Sequence, residues 1–381
     1  MTSYRHLFDI PSDIAFLTAA SYSPLPKSVQ AAGNEGVARK GQPWRIDRAF
    51  RNSQNERARS VAARLIGADA DDVALVPSVG YGFATAAGIV PLKAGDRIIV
   101  LENDHSSPVL AWETPANAAG ATVETVSPPT DEDWTKAVLD AMARPNAGPI
   151  AVVSISNVHW ADGALLDVVA IAEAARAAGA LIAVDATQAV GAVPVDVRHI
   201  DPDFLMFPTY KWLLGPYGRA FLYVAKRHQN AIPLEQTASG RMDVNSESET
   251  YLSDTRYVEN ARRFDMGERD HFITMEMASV GMELIETVGV SAVFQHVEQL
   301  THHVQSAFPK LIAGNAQSRS PHILSLNVGA DRAKPICHAL AQQNIHVSPR
   351  IGRVRVSPHI YNDDADIDRL IDALRPLVEA A

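Results

Sequence analysis

Leu181-Ile182-Ala183-Val184-Asp185-Ala186-Thr187-Gln188 is the stretch from which the fold can be read. Four apolar residues in a row, preceded by the helix-stopping pair Gly179-Ala180 and followed by a polar turn, make a strand buried on both faces. Strands of that kind belong to parallel sheets, and an acid at the carboxyl end of one points into the crevice where open α/β sheets bind ligands. Further on, Pro208-Thr209-Tyr210-Lys211-Trp212-Leu213-Leu214-Gly215-Pro216-Tyr217-Gly218 sets one lysine among aromatic and apolar residues. Such a lysine is partly desolvated, which lowers its pKa and makes it a better amine nucleophile. An acid and an amine aimed at one crevice suit pyridoxal phosphate, whose proteins use a Schiff-base lysine and an acidic partner for the pyridinium nitrogen.

Outward from this stretch the pattern repeats. Short apolar runs at Val73 to Val76, Arg97 to Leu101, Ala121 to Val126, Ile150 to Ile155, Leu181 to Val184, Phe204 to Phe207 and Ala220 to Val224 alternate with Ala-rich helical stretches. The expected fold is α/β: a large domain with a mainly parallel seven-stranded sheet covered by helices. After Pro233 the composition turns polar, and two long helical stretches, Phe272 to Val288 and Ser291 to Phe308, lead into strands at Ile323 to Val328 and Val354 to Val356. The reading is therefore an N-terminal segment (1–27), a large domain (28–234), a connecting segment (235–270) and a small C-terminal α+β domain (271–381), the last of about 110 residues.

Length and composition narrow the function classes. At 381 residues the chain exceeds one ordinary core, and 47% hydrophobic with 20% charged residues describes an enzyme-like globular protein. A net charge of −10 argues against nucleic acid as the main partner, since no basic stripe is available to neutralise phosphates. The single cysteine, Cys337, leaves no internal disulfide and too few thiolates for a structural zinc site. No apolar run has membrane-spanning or signal-peptide length, so the expected setting is the cytoplasm.

Further residues gather around the same crevice. Ser78, Val79 and Gly80 follow the first run and open a helix, where backbone N–H groups and the helix dipole favour a phosphate; a plain strand-to-helix turn reads equally well. Gly80-x-Gly82 with Glu102 imitates a dinucleotide fingerprint, but Thr85 holds the place of the third glycine. His105 follows the second run, where a flat ring can stack on an aromatic cofactor or simply face solvent. Arg355, in a short alternating strand, can grip a carboxylate through two parallel hydrogen bonds or serve as a surface ion pair, and Arg350 is a second candidate. His159 reads as core, Cys337 as a small buried hydrophobe, and His302-His303 as a solvated helix face with no metal site.

Taken together, these residues resemble the class V aminotransferase family of fold-type I pyridoxal phosphate enzymes, which includes cysteine desulfurases, selenocysteine lyases and isopenicillin N epimerase. The resemblance runs from Phe16-Leu17-Thr18-Ala19-Ala20 to Tyr361-Asn362, and its most specific parts are Val184-Asp185-x-x-Gln188 and Tyr210-Lys211-Trp212-Leu213-x-Gly215-Pro216-x-Gly218. It implies that Lys211 carries the cofactor as a Schiff base and moves protons, that Asp185 keeps the pyridine nitrogen protonated, and that Gln188 contacts the phenolate oxygen. It also implies that His105 stacks on the ring, that Ser78, Val79 and Gly80 hold the phosphate with Thr209 or Tyr210, and that Arg355 holds the substrate α-carboxylate. A homodimer is implied as well.

This chain departs from the family in several places. Family desulfurases carry a catalytic cysteine before the Arg355 strand, whereas Val347-Ser348-Pro349-Arg350-Ile351-Gly352-Arg353 has none. Tyr210 and Pro208 replace a usual histidine and serine, Trp160 stands where relatives have an asparagine near the phenolate oxygen, and Gly267-Glu268 replaces a Gly-Thr pair that reaches the neighbouring subunit's phosphate. The expected function is an aminotransferase acting on a small amino acid, with β-elimination or epimerisation at the same carbon as the rival and a non-catalytic cofactor-fold protein as the alternative. Substrate recognition is expected from Thr18 to Ser23, with Ala20 and Ser21 at its centre, from Trp160 and from the Arg350 loop.

Overall fold

The structure, a computed structural model, describes residues 4–130, 133–242, 248–312 and 318–379. A two-residue strand, β1 (Ala15–Phe16), precedes the seven strands of the main sheet: β2 (Val73–Val76), β3 (Arg97–Leu101), β4 (Thr122–Val126), β5 (Ile150–Ser156), β6 (Leu181–Asp185), β7 (Phe204–Pro208) and β8 (Ala220–Val224). Their spatial order is β2-β8-β7-β6-β5-β3-β4. Only β8 runs against its neighbours, pairing antiparallel with both β7 and β2. The expected mainly parallel sheet is thus present, and the carboxyl ends of β2, β3, β5, β6 and β7 share one edge.

Both faces of this sheet are covered, which is why its strands read as continuous apolar runs. On one face Leu75, Ile99, Val153, Val184 and Phe207 share a core with Val61 and Ala62 of the helix Arg48–Leu65 and Ile171 of the helix Val168–Ala177. On the other, Val76, Val100, Ala183 and Met206 pack with Phe83 of the helix Val79–Ile89. A methyl at Gly82 would fall 2.6 Å from the Met206 side chain, so glycine there lets the helix sit close on β7.

The small domain has its own core, built from β9 (Leu324–Asn327), β11 (Ser348–Arg350) and β12 (Arg353–Val356) with the helices Ala330–Ala341 and Asp364–Glu379. The helix Thr274–Val288, which the sequence groups with the small domain, buries Met275, Ala278, Met282 and Ile285 in the large core instead. Gly281 presses it onto the backbone of Leu213 and Leu214, a methyl there lying 2.6 Å from the Leu213 carbonyl oxygen. The next helix, Val290–Ala307, spans both units: Val293 and Val297 join the large core, Leu300 and Val304 the small one. Among the described residues no single helix is long and apolar enough to cross a membrane.

The N-terminal segment ties the two units together. β1 pairs parallel with β10 (Ile345–His346) of the small domain, and Thr18 bridges to Ser357. Strands of two or three residues such as β1, β10 and β11 carry too few positions for a periodic signal, and the sequence does not reveal them.

One buried ion pair holds the connecting segment to the sheet. Arg59 donates to both oxygens of Asp265, at 3.0 and 2.8 Å, and the same carboxylate accepts the Leu75 N–H at 2.8 Å. Both side chains are inaccessible to solvent. Asp265→Ala leaves the buried guanidinium only the more exposed Glu56, 3.1 Å from its Nε, and is expected to cost about 3–5 kcal/mol in urea unfolding; a loss below about 1 kcal/mol would show that the pair does not carry this role.

Candidate active site

Loops from the carboxyl ends of β2, β3, β5, β6 and β7 meet a strap from the N-terminal segment and the β11–β12 hairpin of the small domain. The strap is fixed by backbone contacts: Ala19 N–H donates to the Ser357 carbonyl at 2.9 Å, and Ser23 N–H to the Tyr210 carbonyl at 3.1 Å. Ala20 N–H donates to the Ser357 hydroxyl at 3.1 Å. Residues from four parts of the chain therefore line one cleft.

Lys211 lies in the middle of it, 6% exposed. Burial pushes its amine down to about 7; Asp185 opposes the shift, while Arg355 and Arg350 add to it. An amine of that pKa is substantially unprotonated at neutral pH, the form able to attack a carbonyl. Asp185, also buried, spends its Oδ1 on the Thr187 N–H at 2.8 Å and keeps its other oxygen for a ligand.

Gln188 is oriented by an unambiguous donor. The indole N–H of Trp212 can only donate, and it meets Gln188 Oε1 at 2.9 Å, so the amide nitrogen faces the other way, where one N–H reaches the Ala20 carbonyl at 3.1 Å. The second N–H remains available. Two neutral histidines brace this pair: His322 donates from Nε2 to the Gln188 carbonyl, and His359 Nε2 to the Trp212 carbonyl at 3.1 Å. Burial holds both imidazoles down at about 3, so neither gains a charge in the ordinary pH range.

The anion cradle forms after β2. Ser78 caps the helix Val79–Ile89 by accepting the Tyr81 N–H at 3.1 Å, which leaves the first-turn N–H groups of Val79 and Gly80 without intrahelical partners. At Gly80 a Cβ would lie 3.5 Å from the Ser107 hydroxyl and 3.8 Å from that of Ser78. Ser107 thus joins the cradle; it stands two residues after His105, in a stretch whose sequence signal pointed only to the ring. Thr209 takes a different role from the one expected, since its hydroxyl donates to the Pro216 carbonyl at 2.7 Å and secures its own loop. Tyr210 stacks on Tyr217, ring centroids 3.9 Å apart.

His105 stands exposed at the rim with its ring edge-on to Trp160, centroids 6.2 Å apart. Its imidazole is lowered by the dehydrated wall behind it, against the pull of Asp185. Asp104, beside it, accepts the Ser156 hydroxyl at 2.7 Å and the His105 N–H at 2.7 Å, and burial raises its carboxyl to about 6. His159 is core, as expected, paired with Asp162 at 2.9 Å.

Trp160 needs a correction. Its indole N–H donates to the Asn103 carbonyl at 2.7 Å, so it offers the cleft a ring face and no hydrogen bond. The free amide near this end of β5 belongs to Asn157, a buried residue whose Oδ1 has no partner and whose N–H holds the Asp185 carbonyl at 3.2 Å. The sequence signal was present in Ser156-Asn157, immediately after the strand, and was read three residues too late.

Arg355 and Arg350 face the cleft from the hairpin. Arg355, 1% exposed, donates to the Trp160 carbonyl at 2.6 Å, to the Ser348 hydroxyl at 3.2 Å and to the Ser21 hydroxyl at 2.8 Å. Burial, with a smaller contribution from Arg350, lowers it to about 9. Arg350 reaches the same Ser21 oxygen at 3.1 Å.

A buried, half-neutral amine beside a buried carboxylate, an anion cradle at a helix start and a cationic wall form the site of a fold-type I pyridoxal phosphate enzyme. The model of the family "Aminotransferase class-V" matches residues 16–370, and this chain belongs to that family. It is 28% identical to "Uncharacterized aminotransferase YcbU" of Bacillus subtilis over 97% of this chain and 96% of that protein. It is 27% identical to a "Probable cysteine desulfurase" of Methanothermobacter thermautotrophicus, again over 97% and 96%. Among solved structures it resembles a cysteine desulfurase from Thermococcus onnurineus, with a TM-score of 0.85 at 20% identity over 100% of this chain and 99% of that one.

The residues present fit pyridoxal phosphate, the family's cofactor. The second amide N–H of Gln188, the open cradle at Gly80 and the unspent oxygen of Asp185 are polar groups that match the cofactor's phenolate oxygen, phosphate and pyridine N–H. The amine also sets a pH signature in the cofactor-free protein. Below about 7 both folded and unfolded chains bind the proton and the folded state bears the full cost; from about 7 to 10.5 only the unfolded chain keeps it, so stability rises with pH across that window. Lys211→Met removes the cost and is expected to stabilise the cofactor-free protein more at pH 6 than at pH 10 in denaturant unfolding. Equal gains at both pH values would contradict a depressed Lys211.

Proposed function

We propose that this enzyme is an aminotransferase acting on a small amino acid. The observation that carries the proposal is the buried Lys211, lowered to about 7, lying between Asp185 and an Arg355 with no acidic partner among the described residues, in a cleft whose hairpin bears no thiol. Pyridoxal phosphate, when bound, supplies an electron sink that acidifies the substrate Cα–H bond. Asp185 would hold a proton at the pyridine nitrogen, and Gln188 and Asn157 would offer side-chain amide N–H groups to the phenolate oxygen. Ser78, Val79, Gly80 and Ser107 would hold the phosphate, and His105 would be the residue to cover the ring from the rim. Arg355 would orient the α-carboxylate, and Lys211, as the neutral amine, would take the proton at Cα and carry it as general acid and base.

The absence of a thiol on the hairpin supports transamination over desulfuration. Arg350 pairs with Arg353 across a two-residue tip, Ile351-Gly352, and the chain's one cysteine, Cys337, sits buried on the helix Ala330–Ala341 with its thiol pushed up to about 11. Elimination or epimerisation at the same carbon is the second reading, and it too needs no cysteine. We further propose a homodimer, supported by the exposed apolar side chains Tyr251, Leu252, Tyr217 and Leu110; a monomer mass in sedimentation equilibrium would refute it.

Purified enzyme is expected to show a visible absorption band that borohydride bleaches, with the reduced cofactor recovered on the peptide containing Lys211. Lys211→Ala is expected to lower turnover by at least about a thousandfold. An amino-acid panel assayed in parallel for keto acid, ammonia and optical purity decides the reaction. Keto acid that appears only with an amino acceptor supports the transaminase, whereas ammonia formed without one overturns it.

A further inference from the structure

The cleft holds more positive charge than an ordinary α-carboxylate requires. Arg355 and Arg350 donate to the same hydroxyl oxygen of Ser21, at 2.8 and 3.1 Å, and both guanidinium carbons lie over the ring of Trp160, at 5.9 and 5.4 Å from its centroid. Neither is paired with a carboxylate among the described residues. Arg350 spends one nitrogen on the carbonyl of its neighbour Pro349 at 2.6 Å, and its Nε is buried with no partner at all. The acid of the cleft, Asp185, acts on Lys211 rather than on these two guanidiniums.

The two guanidiniums differ in depth. Arg355 is at the base of the cleft, almost fully buried, while Arg350 is half-buried and adjoins the hairpin tip, where Ile351 is 58% exposed. A substrate whose amine is at Lys211 has its α-carboxylate beside that amine and therefore deep, and its side chain runs toward the mouth. The position of Arg350 is where the end of such a side chain arrives. A guanidinium desolvated against an aromatic ring, with an unspent N–H, is a strong receptor for a second carboxylate and a poor neighbour for an apolar group.

We infer that Arg350 is a specificity-determining residue that binds the side-chain carboxylate of the substrate, so that the preferred substrates are acidic amino acids and the matching dicarboxylic keto acids. The inference rests on the reading that Lys211 and Arg355 take the amine and the α-carboxylate. Ser21 acts as the spacer that holds the two guanidiniums apart: its hydroxyl oxygen accepts from both, and the Thr18 hydroxyl, 3.1 Å away, holds it in place.

The test compares L-glutamate and L-aspartate with L-alanine in the holoenzyme, together with calorimetric binding of glutarate against butyrate, which needs no turnover. Wild-type enzyme is expected to favour the acidic substrates in kcat/KM by at least about tenfold. Arg350→Gln is expected to reduce that preference about tenfold to a hundredfold, chiefly through KM, and to weaken glutarate binding more than butyrate binding; Arg350→Lys should restore part of both. Arg355→Gln should impair acidic and neutral substrates alike. No acidic preference in the wild type, or equal losses for glutamate and alanine in Arg350→Gln, would overturn the inference, because Arg350 would then share the α-carboxylate. Absence of the visible band with Arg350-dependent glutarate binding intact would instead locate the failure in the cofactor reading.

Discussion

One carboxylate among three cations is the constraint on which this structure turns. Lys211, Arg350 and Arg355 come within electrostatic reach of one another in a cleft where Asp185 is the opposing acid. Their mutual repulsion, added to burial, lowers the amine of Lys211, and the two guanidiniums have no carboxylate partner among the described residues. The cleft is thus built in a destabilised charge state, which a bound anion would relieve.

Holding such a cleft open requires rigid surroundings, and here these are uncharged. Gln188 and Trp212 are locked to each other through an indole donor, and two imidazoles kept neutral by burial hold their backbone carbonyls. Gly281 brings a helix from the large core directly against the loop after Lys211. Neutral hydrogen bonds and close packing fix positions without disturbing the electrostatics of the site, a separation of duties that a further ion pair near Lys211 would have spoiled.

The sheet was legible because its strands are buried on both faces, and continuous apolar runs at Val73, Arg97, Ile150, Leu181, Phe204 and Ala220 leave little room for another reading. Lys211, Asp185, Gln188, Ser78, Gly80 and Arg355 were legible because they stand at strand ends or in distinctive local patterns, and the fold brings them to one cleft. Asn157 and Ser107 were missed although both lie in loops already singled out, since a short polar side chain announces nothing until its missing partner is seen. Thr209 and Trp160 were read as ligands because sequence position does not say where a hydroxyl or an indole N–H is already committed. The helix Thr274–Val288 was grouped with the wrong core because its apolar face looks the same whichever partner it covers.

The strap from the N-terminal segment has a consequence in time. Ser21 meets Arg355 across 334 positions of chain, and Ala20 meets Gln188 across 168, so these residues dock through contacts of long sequence separation, which form late. The large sheet can form while they wait, since its strands need only one another. The cleft cannot, because its floor and its roof are joined by a segment that has nowhere to dock until β10 and β12 have been made. Assembly of the cleft is therefore tied to completion of both cores, and the large sheet alone does not enclose Lys211.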